Sequence, residues 1–226
     1  MTTLLALLLF FAPAVDVSAV LESAFSKKDF DLTADPNRPE WAKAPRVTAG
    51  LDYLSKPIAG RPMEVRSRWT KQNLYLLYIC PYDELNLKPN PDPAHETPQL
   101  WNWDVAEAFI GSDYEHIARY KEFQVSPQGE WVDLDIDREN QKTQPGMKWN
   151  SGYAVKARLD ARAKIWYGEM RIPLQAIDSR APIGGRELRI GLYRISGPEP
   201  KKFFAWRPTG QTSFHVPQAF GTLRLR

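Results

Sequence analysis

The chain of 226 residues is 43% hydrophobic and 12% aromatic, enough to bury one good-sized core, and its 30 basic and 27 acidic side chains are scattered rather than gathered into a stripe. Length and composition therefore exclude a disordered chain and argue for a single domain. The absence of a basic strip that could neutralise phosphates excludes nucleic acid as a partner.

In chain order, residues 4–11 form an apolar run that ends near the small-residue site Val17, Ser18, Ala19. This reads as a signal peptide over residues 1–19, shorter than the roughly 20 residues a membrane-spanning helix needs. Secretion to a bacterial periplasm or to the outside is the expected localisation. The lone cysteine, Cys80, lies in the apolar stretch LYLLYIC and forms no intrachain bridge. Residues 20–44 read as an extended lead-in that packs Phe30, Leu32 and Trp41 onto the body of a single domain over residues 20–226.

From there the sequence alternates with a period of two and holds no long helical pattern. Strands are expected at residues 63–69, 74–80, 105–110, 120–126, 131–137, 153–159, 165–172, 188–195, 203–206 and 221–225. The polar connection 70–73 and the turn Pro127, Gln128, Gly129 make two hairpins. About ten strands at this spacing, separated by long proline-rich loops such as 87–98, predict an all-β antiparallel sandwich with jelly-roll or immunoglobulin-like layering.

Chemistry concentrates at WNWDVAEAFI, where Trp101 and Trp103 run into a strand opened by Asp104 and carrying Glu107. An indole covers the C–H face of a sugar ring and a carboxylate accepts from its hydroxyls. Asp104 and Glu107, three residues apart, point to opposite sides of a strand, so they do not form a catalytic pair of the kind that flanks a scissile glycosidic bond. One acid is expected to be structural and the other to face the ligand. In WVDLDID, Val132, Leu134 and Ile136 share one face and Asp133, Asp135 and Asp137 the other. That oxygen-rich strip fits either structural calcium or a solvated outer face. His95, His116 and His215 lie in separate loops without the spacing of a zinc site.

Four stretches occur in one order: Trp101, Asp104, Glu107, Phe109 and Ile110; Tyr120, Glu122, Phe123 and Pro127–Gly129; Trp166, Glu169, Ile172 and Pro173; and Trp206, Phe214, His215, Pro217, Phe220 and Gly221. Together the chain resembles carbohydrate-binding module family 9 and its DOMON-like relatives. The resemblance implies a non-catalytic sandwich that clamps a mono- or oligosaccharide between two aromatic jaws. Trp101 is the first jaw, Glu107 its polar partner and Gln211 an amide contact. Phe214 stands where such members carry a second tryptophan, so Trp206 or Trp103 is the expected source of another indole face, and His215 either touches the ligand or closes the last loop. Members can also carry structural calcium. The expected partners are a glycan and envelope or glycan-degrading proteins, with the chain itself monomeric. Two alternatives stay open: a glycan-active hydrolase or its accessory domain, and a haem-binding or protein-interaction sandwich, for which Met1, Met63, Met147 and Met170 are sparse ligands.

Overall fold

A computed structural model describes residues 19–140, 149–180 and 187–226. The signal-peptide expectation for residues 1–19 thus lies almost wholly outside the described residues, as do Met1 and Met147.

Thirteen strands are present among them: β1 (Val20–Phe25), β2 (Arg46–Ala49), β3 (Leu51–Asp52), β4 (Met63–Trp69), β5 (Asn73–Pro81), β6 (Val105–Gly111), β7 (Arg119–Val125), β8 (Trp131–Asp137), β9 (Ala154–Asp160), β10 (Ile165–Pro173), β11 (Glu187–Ser196), β12 (Lys202–Ala205) and β13 (Gly221–Leu225). Among the described residues two single-turn α-helices, α1 (Pro39–Ala42) and α2 (Leu174–Ile177), and two 3-10 turns, Leu100–Asn102 and Pro217–Ala219, join them. The hydrogen-bonded path runs β8-β7-β6-β11-β13-β1-β4-β5-β10-β9 and folds over into a barrel-like sandwich. Sheet A is the part from β8 to β1, extended by β12 and β3; sheet B runs from β1 to β9, with β2 on β4.

The ten expected strands all form, with boundaries within a residue or two. Three further strands lie in the first fifty-two residues. β1 is the link between the sheets, with Val20 to Ser23 beside Thr222 to Leu225 and Ala24 and Phe25 beside Arg68 and Trp69. Both pairings are parallel, which departs from the wholly antiparallel expectation. VLESAF alternates, but six residues at the front of a lead-in give no hint of the two strands they join.

Three apolar clusters result. The inner cluster fills the space between the sheets and holds Met63, Leu76, Ala108, Trp166, Ile190 and Trp206. On the outer face of sheet B, the lead-in lays Phe30, Leu32 and Trp41 over Tyr75, Leu77 and Tyr167. Both faces of β5 are therefore covered, and its sequence reads as a near-continuous apolar run. The lead-in is fastened by Glu169, fully buried on β10, which accepts from the Thr33 and Ala34 backbone N–H (2.7 and 2.6 Å) and from Trp41 Nε1 (2.9 Å). Cys80 is buried, and burial pushes its thiol up to about 12.

Candidate functional site

The third cluster covers the outer face of sheet A. Alternation along the strands turns Val105, Glu107 and Phe109 of β6, Tyr120, Glu122 and Gln124 of β7, and Tyr193 and Ile195 of β11 away from sheet B. Val132, Leu134 and Ile136 of β8 belong to the same face. The apolar side of WVDLDID therefore packs under this aromatic cluster and the aspartates take the opposite face, where Asp133 is buried and Asp135 and Asp137 remain partly solvated.

The aspartates are separately engaged. Asp133 is fully buried and accepts from the Ser151 backbone N–H (2.9 Å) and hydroxyl. Asp135 pairs with Lys121 at 2.6 Å, and Asp137 accepts from Asn140 Nδ2 at 2.7 Å and faces Arg119 at 3.5 Å. Among the described residues no group of three or more His, Cys, Asp or Glu side chains is placed to hold a metal ion.

At the centre of the outer face lies a polar floor. Gln124 Nε2 donates to Glu107 Oε1 at 2.9 Å and to Glu122 Oε1 at 2.5 Å, and both glutamates are about 2% exposed. Burial and the neighbouring Glu122 hold the Glu107 carboxyl well above the usual carboxylate range, and burial pushes Glu122 up to about 7. Glu122 Oε2, Gln124 Oε1 and the Tyr193 hydroxyl have no hydrogen-bond partner within the protein. Buried polar atoms are rarely left this way, and three of the ten such side-chain atoms among the described residues meet on this floor.

Aromatic rings surround the floor. Tyr193 lies flat on the sheet because Gly191 beneath it has no side chain; a Cβ there would meet the ring at 2.5 Å. Phe214 stacks on Tyr193 with centroids 4.3 Å apart and planes 9° apart, and Tyr53 approaches Phe214 at 6.2 Å. Phe214 is 8% exposed, so its ring face is already occupied. Phe214→Ala is accordingly expected to cost about 3 kcal/mol or more in stability, measured as a lowered midpoint in denaturant, so a loss of function in this variant reports on folding as well as on contact.

Trp101 and Trp103 are half-buried in and beside the short turn Leu100–Asn102, and the Lys88 ammonium lies 5.9 Å from the Trp103 ring. They are the outer face's partly open indoles. Asp104 does not reach the floor: it accepts from the Asn86 and Gly197 backbone N–H (3.0 and 2.6 Å) and lies 3.9 Å from buried Arg194. His215 Nδ1 meets the Tyr120 hydroxyl at 2.7 Å, and burial with Arg138 nearby lowers its pKa to about 4, leaving the ring neutral at physiological pH. Gln211 is exposed on a turn whose Gln211 and Ser213 carbonyls both accept from the Thr209 hydroxyl at 2.8 Å.

Trp206 lies elsewhere, 2% exposed in the inner cluster with its indole pressed on Gly221. Met63 and Met170 are fully buried in that same cluster. Sequence reasoning had not placed Tyr53, Glu122, Gln124, Tyr193 or Phe203 in the site. Glu122 and Gln124 were within reach, because they alternate with Tyr120 on a strand adjacent to Glu107; Tyr53 and Phe203 arrive from distant segments with no local signal.

An all-β sandwich with one outer face roofed by aromatic rings over a polar floor has the build of a ligand-binding module. A model of the Carbohydrate family 9 binding domain-like family matches residues 37–226, and the chain belongs to that family. Among curated proteins it is 22% identical over 205 residues to an extracellular protein of Arthroderma benhamiae, covering 85% of this chain and 82% of that one. Two solved structures share the fold at low identity. A protein of Bacteroides uniformis ATCC 8492 inferred to bind carbohydrate superposes with a TM-score of 0.71 at 15% identity, covering 92% of this chain and 99% of that one. A carbohydrate binding module family 9 from Caldicellulosiruptor kristjanssonii in complex with cellotriose gives 0.61 at 13% identity, covering 92% and 93%.

Proposed function

We propose that this protein is a secreted, non-catalytic carbohydrate-binding module that takes a mono- or oligosaccharide at the outer face of sheet A. The observation that carries the reading is the Glu107–Gln124–Glu122 floor, with unpartnered acceptors beneath an aromatic shell. Trp101 is the stacking platform, with Trp103 beside it, and Gln211 and His215 on the last loop supply polar contacts. The family membership, the extracellular relative and the cellotriose-bound neighbour support a secreted glycan binder. Stacking without a deep pocket fits micromolar to millimolar affinity, about 4 to 8 kcal/mol. Envelope or glycan-degrading proteins are its proposed partners.

Binding is favoured over hydrolysis by the geometry of the acids. A glycosidase holds two carboxyls on either side of an open space that receives the scissile bond. Here the Gln124 amide fills the space between Glu107 and Glu122. The aspartate strip is read as ion pairs and hydrogen bonds, so the thermal midpoint is expected to stay unchanged on adding millimolar calcium or a chelator.

A glycan array followed by titration of any hit tests the proposal. Trp101→Ala is expected to weaken binding by about 2 kcal/mol, roughly thirtyfold, as for a central aromatic anchor, while its thermal midpoint stays near that of the parent. Undiminished affinity in a folded variant would remove Trp101 from the site.

A further inference from the structure

We infer that the outer-face site selects its ligand by charge and takes a sugar bearing a free ammonium group, an amino sugar, in preference to neutral or acidic ones. This rests on the carbohydrate reading above and specifies its ligand class.

Donors and acceptors on the floor are unequal in number. Gln124 Nε2 spends both hydrogens, one on each glutamate. Glu122 Oε2, Gln124 Oε1 and the Tyr193 hydroxyl beside Glu107 are buried without a partner in the protein; for want of a counter-charge the two carboxyls hold protons in the free site, and once ionised they are acceptors without a donor. A sugar hydroxyl brings one donor together with two acceptor lone pairs, a carboxylate brings acceptors only, and an ammonium brings three donors and no acceptor. The ammonium is the group that matches an acceptor-rich floor.

The surrounding charge agrees. Among the described residues no Lys or Arg forms an ion pair with Glu107 or Glu122. β7 adds Tyr120, reached by Arg138 from beyond the end of β8, and β11 adds Tyr193 and Arg189, whose Nε and Nη2 donate to the Asp113 and Ile117 carbonyls at 3.1 Å each and whose buried Nη1 has no partner. The last loop adds His215, held neutral by burial. The segment before β6 adds Lys88, whose ammonium sits over Trp103 rather than at the acids. This pair of buried carboxyls gains its missing counter-charge from an ammonium, which releases the carboxyl protons to solvent, and gains none from a uronic acid. The half-buried indoles of Trp101 and Trp103 add faces that attract a cation. Since both glutamates are sealed in the free protein, entry of the amine requires the aromatic cover to open.

Titration calorimetry at neutral pH with three β-1,4-linked trimers, of glucosamine, of glucose and of N-acetylglucosamine, tests the inference. The glucosamine trimer is expected to bind about tenfold tighter than cellotriose, the scale of one added charge-assisted contact, with no such gain for the N-acetylated trimer. Glu122→Gln and Glu107→Gln are each expected to shrink that ratio, with thermal melts confirming the fold; if Glu107→Gln does not fold, Glu122→Gln decides. Equal affinity for the glucosamine and glucose trimers, or a preference that survives the substitutions, would overturn the inference while cellotriose binding sensitive to Trp101→Ala left the carbohydrate reading intact. Failure of all three trimers to bind would overturn both.

Discussion

Glu169→Ala is expected to destabilise the protein by about 3 kcal/mol or more. The Glu169 carboxylate is the single acceptor for the Thr33 and Ala34 backbone N–H groups and the Trp41 indole. Removing it strands three donors beneath the lead-in. Burial raises the carboxyl's pKa while those donors and the Arg38 charge lower it, so the side chain is a hydrogen-bond hub in a poorly solvated place. Glu169→Gln keeps one acceptor oxygen but turns an NH₂ group toward a donor, and falls between the parent and alanine. Denaturant unfolding measures the loss, and hydrogen exchange at Thr33 and Ala34 locates it. A midpoint unchanged in Glu169→Ala would mean that the lead-in is not fastened there.

The second large effect is on pH dependence. Burial raises Glu122 from an ordinary value of 4.5 to about 7 in the folded protein. A carboxyl raised on folding contributes stability that is fully present below its unfolded pKa and is lost as pH rises through its folded pKa. The protein is therefore expected to lose about 3 kcal/mol between pH 4.5 and 7 from this group alone. Glu107 and Glu96, the latter also raised to about 7 by burial and the adjacent Asp133, act with the same sign. Glu122→Gln is expected to flatten the slope and to be more stable than the parent above pH 7, since a glutamine oxygen still accepts from Gln124 while the buried charge is gone. Unfolding curves at pH 5 and pH 8 for both proteins decide it; parallel losses in the two would take Glu122 out of the account.

Much of the fold was legible because alternation is local. WVDLDID separates its two faces correctly at the level of the strand, and Phe30, Leu32 and Trp41 mark the lead-in as a cover. What alternation cannot supply is the identity of what each face meets. The apolar side of β8 lies under the aromatic cluster, and its acid side holds Asp133 buried and leaves Asp135 and Asp137 partly solvated. Trp206, at the end of the expected strand 203–206, reads as a ligand-facing indole, but the bare surface of Gly221 lets it pack into the inner cluster. The candidate site was half visible: Trp101 and Glu107 announce it, whereas Tyr53 and Phe203 join it only through tertiary packing.

The claim that the outer face of sheet A binds carbohydrate is tested most directly by an NMR titration with cellotriose that follows the tryptophan indole N–H resonances. Saturable shifts at Trp101 and Trp103, with Trp41, Trp166 and Trp206 unmoved in their buried positions, are the expected result. Shifts confined to Trp131, at the cavity of about 460 Å³ lined with Pro93, Gln128 and Tyr153, or no shift with any glycan, would contradict the account.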